Sequence, residues 1–312
     1  MLGSLRRAFV DGYERLLRRE IGQTPTHVAI IQDGNRRYAR SNGEDAPKGH
    51  EAGADTTEQV LDWCAELGIK ELTLYAFSTE NFERPDEELE PLFDLIENKL
   101  YEFADADRVH DESVQIRAIG EIERLPDRIQ DAVEYAEAQT SEYDEFRLNI
   151  ALAYGGRNEL RRAARDVVAA VDRGELSSEA IDVSEIESRL YRNSVRDVDL
   201  IIRTGGDERT SNFLPWHANG NEAAVYFCAP YWPEFSKLDF LRGLRTYHSR
   251  EESWQDTQTR RAIALVRAVA TVELEEARSV ATRLRETLPA GNRSTLADEL
   301  DEVDVRSDES TN

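Results

Sequence analysis

The feature that most restricts the fold of this chain is a regular alternation of short apolar runs with longer helical patterns. The apolar runs are rich in β-branched and aromatic residues, and they lie at 27–32, 71–77, 114–119, 146–152, 198–203 and 224–228. Helical periodicity falls between most of them, at about 51–67, 86–106, 125–140 and 157–172. Strands that alternate with helices need crossover connections, which favour a mainly parallel sheet covered on both faces. With no interdomain linker in view, the sequence predicts one α/β domain.

Four of the apolar runs end in a cluster of polar residues and glycines. The clusters are Asp33-Gly34-Asn35-Arg36-Arg37-Tyr38, Ser78-Thr79-Glu80-Asn81, Tyr154-Gly155-Gly156-Arg157 and Arg203-Thr204-Gly205-Gly206. Phe82, Glu83 and Arg84 follow the second cluster, and residues 207–211 follow the fourth. The carboxyl ends of parallel strands meet at one edge of a sheet, where ligands bind. We therefore expect the four clusters to form a single site.

The residue types in these clusters favour phosphate chemistry. Glycines allow a ligand to approach the backbone closely, and arginines offer forked donors to phosphate oxygens. Carboxylates beside phosphate groups suit Mg²⁺. The clusters predict a site for one or two diphosphates with Mg²⁺. Neither GxGxxG nor GxxxxGK[ST] occurs, so the signatures of a dinucleotide site and of a P-loop are absent. Taken singly, each cluster also fits an ordinary turn, and His50 also fits a structural histidine.

The charge of the chain excludes one class of partner. Its formal net charge is −24, and such a surface repels nucleic acid. Only four of the 39 Lys and Arg residues are lysine, and carboxylate excess with few lysines is typical of adaptation to concentrated salt. An acidic protein from an ordinary environment is the alternative interpretation.

Five ordered segments resemble the motif set of the cis-prenyltransferases, the family of undecaprenyl and dehydrodolichyl diphosphate synthases. The segments are HVAIIQDGNRRYAR, KGHEAGA, LTLYAFSTENFERP, LNIALAYGGR and DLIIRTGGDERTSNFLPW, and they span about residues 25–250. The resemblance implies a homodimer with a mostly parallel sheet of about six strands. It also implies a hydrophobic tunnel for a growing prenyl chain, with the helix at 86–106 as one wall through Leu89, Leu92, Phe93, Ile96 and Leu100. Plain core packing is the alternative for those five residues.

The resemblance implies an enzyme that condenses isopentenyl diphosphate onto an allylic prenyl diphosphate with the help of Mg²⁺. The product would be a long-chain polycis-polyprenyl diphosphate of undecaprenyl size, the precursor of a glycan-carrier lipid. DGNRRYAR resembles archaeal and eukaryotic members, and the composition suggests a salt-loving archaeon. We therefore expect geranylgeranyl diphosphate to be the allylic starter, rather than farnesyl diphosphate.

The resemblance also implies roles for individual residues. Asp33 would hold Mg²⁺ and assist ionisation of the starter, with Glu222 as the second metal ligand. The diphosphate of the starter would be cradled by Gly34, Asn35, Arg36 and Arg37, with Tyr38 in the place of a bacterial tryptophan. Proton removal or its relay would involve His50, Ser78 and Asn81, oriented by Glu80. Isopentenyl diphosphate would be bound by Arg84, Arg203, Arg209 and Ser211, and the substrate site would be completed by Thr79, Phe82 and Thr210.

Several points stay open at the level of the sequence. Glu222 follows from counting forward from Ser211, whereas counting back from Tyr226 places Ala224 at the metal ligand. A non-catalytic partner subunit of a heteromeric prenyltransferase is a second hypothesis, although such subunits lack the DGN carboxylate that Asp33 supplies here. A different phosphate-handling enzyme, such as a phosphotransferase, is a third.

The chain divides into four predicted segments. They are an N-terminal amphipathic helix at 1–24, a catalytic domain at 25–254, a C-terminal helix at 255–288 and a disordered acidic tail at 289–312. The first helix carries five arginines and either contacts an anionic membrane surface or packs on its own domain. No apolar run approaches the roughly 20 residues that span a bilayer, and the charged segment at 1–20 lacks the continuous apolar stretch expected of a signal peptide. We expect a cytoplasmic protein, with membrane association through the first helix as the open alternative.

Overall fold

The computed structural model describes residues 12–190, 196–220 and 223–270, and its centre is a six-stranded sheet. The strands are β1 (His27–Ile31), β2 (Glu71–Tyr75), β3 (Val114–Ile119), β4 (Phe146–Ala151), β5 (Leu200–Arg203) and β6 (Ala224–Phe227). They are all parallel and follow the order β3-β4-β2-β1-β5-β6. Each strand falls inside one of the six apolar runs, so the predicted α/β fold with a parallel sheet is confirmed.

Helices fill the connections between the strands. The helices are α1 (12–20), α2 (Asn35–Ser41), α3 (Ala46–Leu67), α4 (Asp86–Asp105), α5 (Asp107–Asp111), α6 (Asp127–Gln139), α7 (Gly156–Asp172), α8 (Val183–Leu190), α9 (Pro215–Gly220) and α10 (Lys237–Ala270). Short 3-10 helices lie at Thr79–Glu83, Ile122–Arg124, Ser178–Ala180 and Trp232–Glu234. Helix α4 begins with three carboxylates in its first turn, which the helix dipole favours.

The sheet is covered by helices on both faces. On one face, strand residues pack with α3, α4 and α6; they include Val28, Ile30, Leu72, Leu74, Leu148 and Ile150. On the other face, Ala29, Ile31, Ala151 and Ile201 pack with α7, α8 and α9. Strands that are buried on both faces read as continuous apolar runs rather than as alternating ones. This explains why the apolar runs in the sequence predicted the positions of the strands accurately.

Strand β1 lies at the point where the order of the strands reverses. From β1 the chain proceeds to β2 on one side, and it later returns to β5 on the other side of β1. In open parallel sheets, ligands bind in the crevice beyond the carboxyl ends of the strands at such a reversal. The loops that follow β1 and β5 meet there.

The N-terminal helix packs on its own domain in the part that the structure describes. Leu17 is fully buried in the core, and Arg18 pairs with Glu66 of α3. Leu16 is half exposed on the outer side. Residues 1–11 of the predicted amphipathic segment lie outside the described residues.

The described chain forms one compact unit that ends at Tyr247 and a second that begins at His248. Helix α10 begins at Lys237, ahead of the predicted helix at 255–288, because Phe240, Leu241, Leu244 and Tyr247 form a buried helical stripe. Residues 271–312, which include the predicted acidic tail, lie outside the described residues. Within the described ranges, every helix is too short or too polar to cross a membrane.

Candidate active site

Two arginines hold the carboxylate of Asp33 at the carboxyl end of β1. Arg37 Nη2 donates to Oδ1 at 2.9 Å, and Arg203 Nη2 donates to Oδ2 at 2.7 Å. Burial opposes ionisation of this carboxyl group, but the hydrogen bonds from Arg203 and Arg37 outweigh it and keep the pKa of Asp33 below its ordinary value. Asp33 is therefore an oriented carboxylate with its side chain 29% exposed.

The backbone of Asp33 is fixed as firmly as its side chain. Thr204, which follows β5, donates from Oγ1 to the Asp33 carbonyl oxygen at 2.7 Å and accepts from the Asp33 N–H at 3.0 Å. The N–H of Trp232 donates to the same carbonyl oxygen at 3.0 Å. The ends of β1 and β5 are thus joined side by side.

Arg203 is the buried centre of the loop that follows β5. Its side chain is 3% exposed, and its Nη1 donates to the Arg209 carbonyl oxygen and to Ser211 Oγ, both at 2.5 Å. Asp207 Oδ2 accepts from Arg203 at 3.1 Å and from Arg209 at 3.0 Å. The guanidinium of Arg209 is 67% exposed, and Thr210 beside it is exposed as well. The structure thus brings Arg203, Arg209 and Ser211 together and adds Asp207, which joins the two arginines.

Two glycines of these loops make room for neighbouring protein groups. Gly34 has φ 109°, and a Cβ there would lie 2.7 Å from Cδ1 of Tyr231. Gly205 has φ 84°, and a Cβ there would lie 2.7 Å from Nη2 of Arg37. The guanidinium of Arg37 also lies over the Tyr231 ring, 5.4 Å from its centroid. A side chain at either glycine would therefore displace the groups that orient Asp33.

His50 lies in α3, between the side chains of Asn35 and Arg84. Its Nδ1 is 3.3 Å from Asn35 Nδ2, and its Nε2 is 3.4 Å from Arg84 Nη1. Burial lowers the pKa of His50 to about 4, with a further contribution from the charges of Arg84 and Arg36. The imidazole is consequently neutral at pH 7.

The partners of His50 determine which nitrogen carries the proton. A guanidinium can only donate, so Nε2 accepts from Arg84 and Nδ1 carries the hydrogen. That hydrogen needs an acceptor, and Asn35 Oδ1 is buried without a hydrogen-bond partner. Amide orientations are assigned from such networks, and turning the Asn35 amide over gives Nδ1–H an acceptor and removes the orphan oxygen. Both ring nitrogens are then engaged, so His50 orients Asn35 and Arg84.

Arg84 and Arg36 form a pair of like charges beside His50. Burial lowers the pKa of Arg84, and Arg36 lowers it further, while Glu88 and Asp33 act in the opposite direction. Arg36 also pairs with Glu88 at 3.3 Å. An anion bound here would remove the repulsion between the two guanidinium groups. The local electrostatics favour a phosphate ligand.

The cluster after β2 forms a short capped helix. Asn81 Oδ1 accepts from the Ser78 N–H at 2.9 Å, and the Thr79 N–H donates to the Tyr154 carbonyl oxygen at 2.9 Å. Phe82 packs edge-on against Phe77, with ring centroids 4.9 Å apart. One lone pair of the Asn81 amide oxygen is thus engaged, and its second lone pair and its NH₂ group can bind a ligand. Glu80 is exposed on this helix, and Tyr38 is half-buried in α2.

The third cluster supports the loop after β5. The Gly156 N–H donates to the Asn212 carbonyl oxygen at 3.0 Å, and the Arg157 N–H donates to Asn212 Oδ1 at 2.8 Å. A Cβ at Gly156 would overlap the Pro215 ring. This contact stabilises Ser211 and Asn212, whose φ values of 48° and 61° are unusual for residues with side chains. Arg157 itself is exposed.

An apolar cavity of about 110 Å³ opens beside this polar cluster, between the sheet and helices α3 and α4. Gln32, Asn35 and His50 lie at its polar end. The wall from α4 consists of Leu92, Leu95, Ile96, Lys99, Leu100 and Phe103. Three of the five predicted wall residues are therefore lining residues, whereas Leu89 and Phe93 are buried in the core.

Phe103 also lines a second cavity of about 20 Å³, with Leu61, Val109 and Leu148. Phe103 thus lies between these two cavities, of which the 110 Å³ one is termed the large cavity and the 20 Å³ one the small cavity. Lys99 Nζ lies 5.9 Å from the ring centroid, and Arg108 Cζ lies 6.0 Å from it. Both cations pair with acids of α3, Lys99 with Glu58 at 2.9 Å and Arg108 with Asp62 at 3.0 Å.

The donor set at Asp33 fits Mg²⁺ held jointly with a substrate. In the part of the chain that the structure describes, no group of three or more acidic, His or Cys side chains forms a metal cage. Mg²⁺ is commonly bound by one or two carboxylates together with substrate phosphates, and Asp33 is a partly exposed carboxylate that is hydrogen-bonded to two arginines. Glu222, the predicted second ligand, lies outside the described residues.

Comparisons with known proteins identify the family. Residues 31–255 match the family model described as "Putative undecaprenyl diphosphate synthase". The chain belongs to that family. A relative from Halobacterium salinarum is 64% identical over 277 residues, which cover 89% of this chain and 91% of the relative. One from Haloarcula marismortui is 58% identical over 304 residues, covering 97% of this chain and all of the relative. Both are named tritrans,polycis-undecaprenyl-diphosphate synthase (geranylgeranyl-diphosphate specific).

A solved structure of the same family has a similar fold. It is lavandulyl diphosphate synthase from Lavandula x intermedia in complex with dimethylallyl diphosphate. The two chains are 35% identical and superpose with a TM-score of 0.67, which covers 72% of this chain and 95% of the other. The names of the relatives support a catalytic undecaprenyl diphosphate synthase over a non-catalytic partner subunit. The predicted resemblance to the family is confirmed.

Some residues of this undecaprenyl diphosphate synthase site escaped the sequence reasoning. Asp207 and Thr204 stood inside the quoted clusters, and their contacts with Arg203, Arg209 and Asp33 could have been suspected from that position. Gly53 stood inside the quoted segment KGHEAGA, whereas Tyr231 and Trp232 lie outside every quoted segment and contact residues that are far away in the chain.

Proposed function

We propose that this chain is a cis-prenyltransferase that condenses isopentenyl diphosphate onto geranylgeranyl diphosphate and makes a polycis-polyprenyl diphosphate of undecaprenyl size. The observation that carries the proposal is the Asp33 carboxylate, held between Arg37 and Arg203 and adjacent in the chain to Gln32, which lines an apolar cavity together with Asn35 and His50. One end of the site suits diphosphate and the other suits a hydrocarbon chain. The names of the archaeal relatives support the starter and the product size.

The first chemical requirement is departure of the starter's diphosphate, which leaves an allylic cation. Gly34, Asn35, Arg36 and Arg37 at the start of α2 would bind the leaving group, and Asp33 would hold Mg²⁺ against it. Mg²⁺ supplies charge neutralisation of the departing diphosphate when it is bound. The bound diphosphate would also place an anion beside Arg36 and Arg84, whose mutual repulsion lowers the pKa of Arg84.

The second requirement is correct placement of isopentenyl diphosphate. Arg203, Arg209 and Ser211 would bind its diphosphate. Asp207 accepts hydrogen bonds from both arginines and so holds their guanidinium groups close together. The new carbon–carbon bond forms when its double bond attacks the allylic cation, and the proton that then leaves the adjacent carbon passes to an oxygen of the released diphosphate, a weak base in the same site. Asn81, Ser78 and His50 would assist this transfer by orienting the groups that take part, since both His50 nitrogens are already hydrogen-bonded.

The third requirement is a dry place for the growing chain. Leu92, Ile96 and Leu100 of α4 and Ile150 of β4 give the cavity an apolar wall that excludes water and contacts the prenyl chain without directional bonds. Each added isoprene unit lengthens the buried apolar surface. The cavity therefore favours elongation over early release.

The remaining parts of the proposal concern assembly and location. A homodimer, a cytoplasmic location and contact of α1 with a membrane surface agree with the family resemblance and with the half-exposed Leu16 of α1. The product would serve as the precursor of a glycan-carrier lipid. A membrane contact would shorten its path into the bilayer.

The proposal is tested by a panel of allylic starters with labelled isopentenyl diphosphate and Mg²⁺ in molar salt, with the products separated by length. Geranylgeranyl diphosphate should give the highest kcat/KM and products of undecaprenyl size. A clear preference for farnesyl diphosphate would refute the starter, and no elongation with any starter would refute the activity. Labelled ATP in the same assay tests for a phosphotransferase, and we expect no transfer.

A further inference from the structure

Trp232 connects two parts of the site that carry the residues nearest to the starter. It lies in the short helix after β6, is 1% exposed, and stacks on Phe235 with ring centroids 5.5 Å apart. Its backbone N–H donates to the Asp33 carbonyl oxygen at 3.0 Å. Its indole Nε1–H donates to the Gly53 carbonyl oxygen of α3 at 2.7 Å. A single residue thus bonds to the end of β1 and to the helix that carries His50.

The contact with α3 requires a glycine. A Cβ at position 53 would lie 2.8 Å from Trp232 Cδ1 and 2.6 Å from a terminal atom of the Asn35 amide group. Gly53 lies three residues after His50, so both occupy neighbouring positions on one face of α3. Asn35, His50, Gly53 and Trp232 all line the large cavity at its polar end. The indole ring is consequently part of the surface that the starter would meet.

We propose that Trp232 is a positioning residue, which sets the distance between Asp33 and the Asn35–His50 pair through its two N–H donors. The inference rests on the proposed function. The indole bond to Gly53 fixes where the short helix sits on α3, and the position of that helix fixes where the Trp232 N–H meets the Asp33 carbonyl oxygen. A small displacement of a catalytic carboxylate lowers the rate of the chemical step more than it weakens the binding of a distant substrate.

Trp232→Phe removes the indole donor and keeps an aromatic ring. The expected result in the elongation assay is a fall in kcat of about 5-fold or more. The KM for isopentenyl diphosphate should change by less than about 2-fold, because Arg203, Arg209 and Ser211 bind that substrate from the loop after β5. A purely structural role would lower thermal stability and leave kcat per folded enzyme unchanged.

Trp63→Phe is the matched control. Trp63 lies in α3 and, like Trp232, packs on Phe235, with 6.3 Å between the ring centroids. Unlike Trp232, it lines neither the large nor the small cavity. Its kcat should stay within about 2-fold of wild type. Equal losses of kcat in both variants, or an unchanged kcat in Trp232→Phe, would overturn the inference. Failure of the wild type to elongate would instead count against the proposed function.

A fluorescence measurement covers the case in which Trp232→Phe does not fold. In a variant with Trp63, Trp216 and Trp254 replaced by Phe, Trp232 is the remaining tryptophan of the sequence. Its emission should change when an unreactive thiolodiphosphate analogue of geranylgeranyl diphosphate is added with Mg²⁺. Emission that stays constant at saturating analogue, with binding confirmed by competition against the substrate, would overturn the inference.

Discussion

In the polar cluster beside the cavity, side chains hold one another by directional bonds, whereas at the far end of the cavity the wall is mostly apolar and fills space. Asp33, Arg37 and Arg203 are joined at 2.7–2.9 Å, and each has a further partner that fixes its orientation. Around Leu100 and Phe103, by contrast, contacts are non-directional, and Lys99, which also lines the cavity, pairs with Glu58 of α3. The polar cluster can specify the geometry of one chemical step, while the far end can specify only a volume. Substitutions among the polar residues should therefore change kcat or KM, whereas substitutions in the apolar wall should change the length of the product.

Asp33→Asn should have the largest effect. The change keeps the size of the side chain but removes the charge that binds Mg²⁺ and aligns two arginines. We expect kcat to fall by at least about 100-fold, or about 2.7 kcal/mol. Asp55→Asn, on the exposed side of α3, is the control and should retain full kcat. If Asp33→Asn retains a tenth or more of the wild-type kcat, the polar residues around Asp33 do not control the chemical step in the way described above.

Arg209→Ala should chiefly weaken binding of isopentenyl diphosphate. The guanidinium is exposed and tied only loosely to the fold, so its loss removes a charge-assisted contact with little cost in stability. The KM for isopentenyl diphosphate should rise about 10-fold, with kcat less affected. Arg173→Ala removes another exposed arginine, which pairs with Glu175, and should leave KM unchanged. An unchanged KM in Arg209→Ala would place that diphosphate elsewhere.

Phe103→Leu should change the product rather than the rate. A smaller side chain at position 103 joins the large cavity to the small one, so the average product should lengthen by about one isoprene unit or more. Val109→Ala enlarges only the small cavity and should leave the product distribution as in wild type. Product lengths come from chromatography at matched turnover. Identical distributions for Phe103→Leu and wild type would show that another feature ends the chain.

The smallest expected effect is the pH dependence of stability through His50. Its pKa falls from 6.5 to about 4 on folding, so between these values the unfolded chain binds a proton that the folded chain excludes. The free energy of unfolding should therefore decrease as the pH falls from 7 to 5.5, with about 1 kcal/mol of the loss due to His50. His27, whose pKa burial also lowers, adds to the slope in wild type and variant alike.

His50→Gln should be less sensitive to pH than wild type by that amount. The measurement is denaturant unfolding at pH 7 and pH 5.5 in the same salt. Parallel losses in the two proteins would mean that His50 already titrates near its ordinary pKa when folded.

The same contrast explains what the sequence could predict. The strands were located because burial on both faces leaves a continuous apolar run, and the polar clusters were located because parallel strands end at one edge. The residues that refine the site were not found, since Trp232 meets Gly53 across 179 positions of the chain and no local pattern marks that contact. Phe103 was missed for a related reason. An aromatic residue at a helical spacing looks the same whether it fills a core or lies between two cavities.

The glycines of α3 have a consequence for how freely this helix can vary. At position 49 a methyl group would overlap the Asn35 carbonyl group, and at position 53 it would press on Asn35 and Trp232. The two positions are four residues apart and so lie one turn above the other. In a saturation mutagenesis library scored by growth or by elongation, α3 should show a narrow stripe of two glycine-only positions. Positions 51, 55 and 59, which face solvent, should accept most residues. The pattern of tolerated substitutions along α3 would thus show, from growth data alone, how closely Asn35 and Trp232 approach this helix.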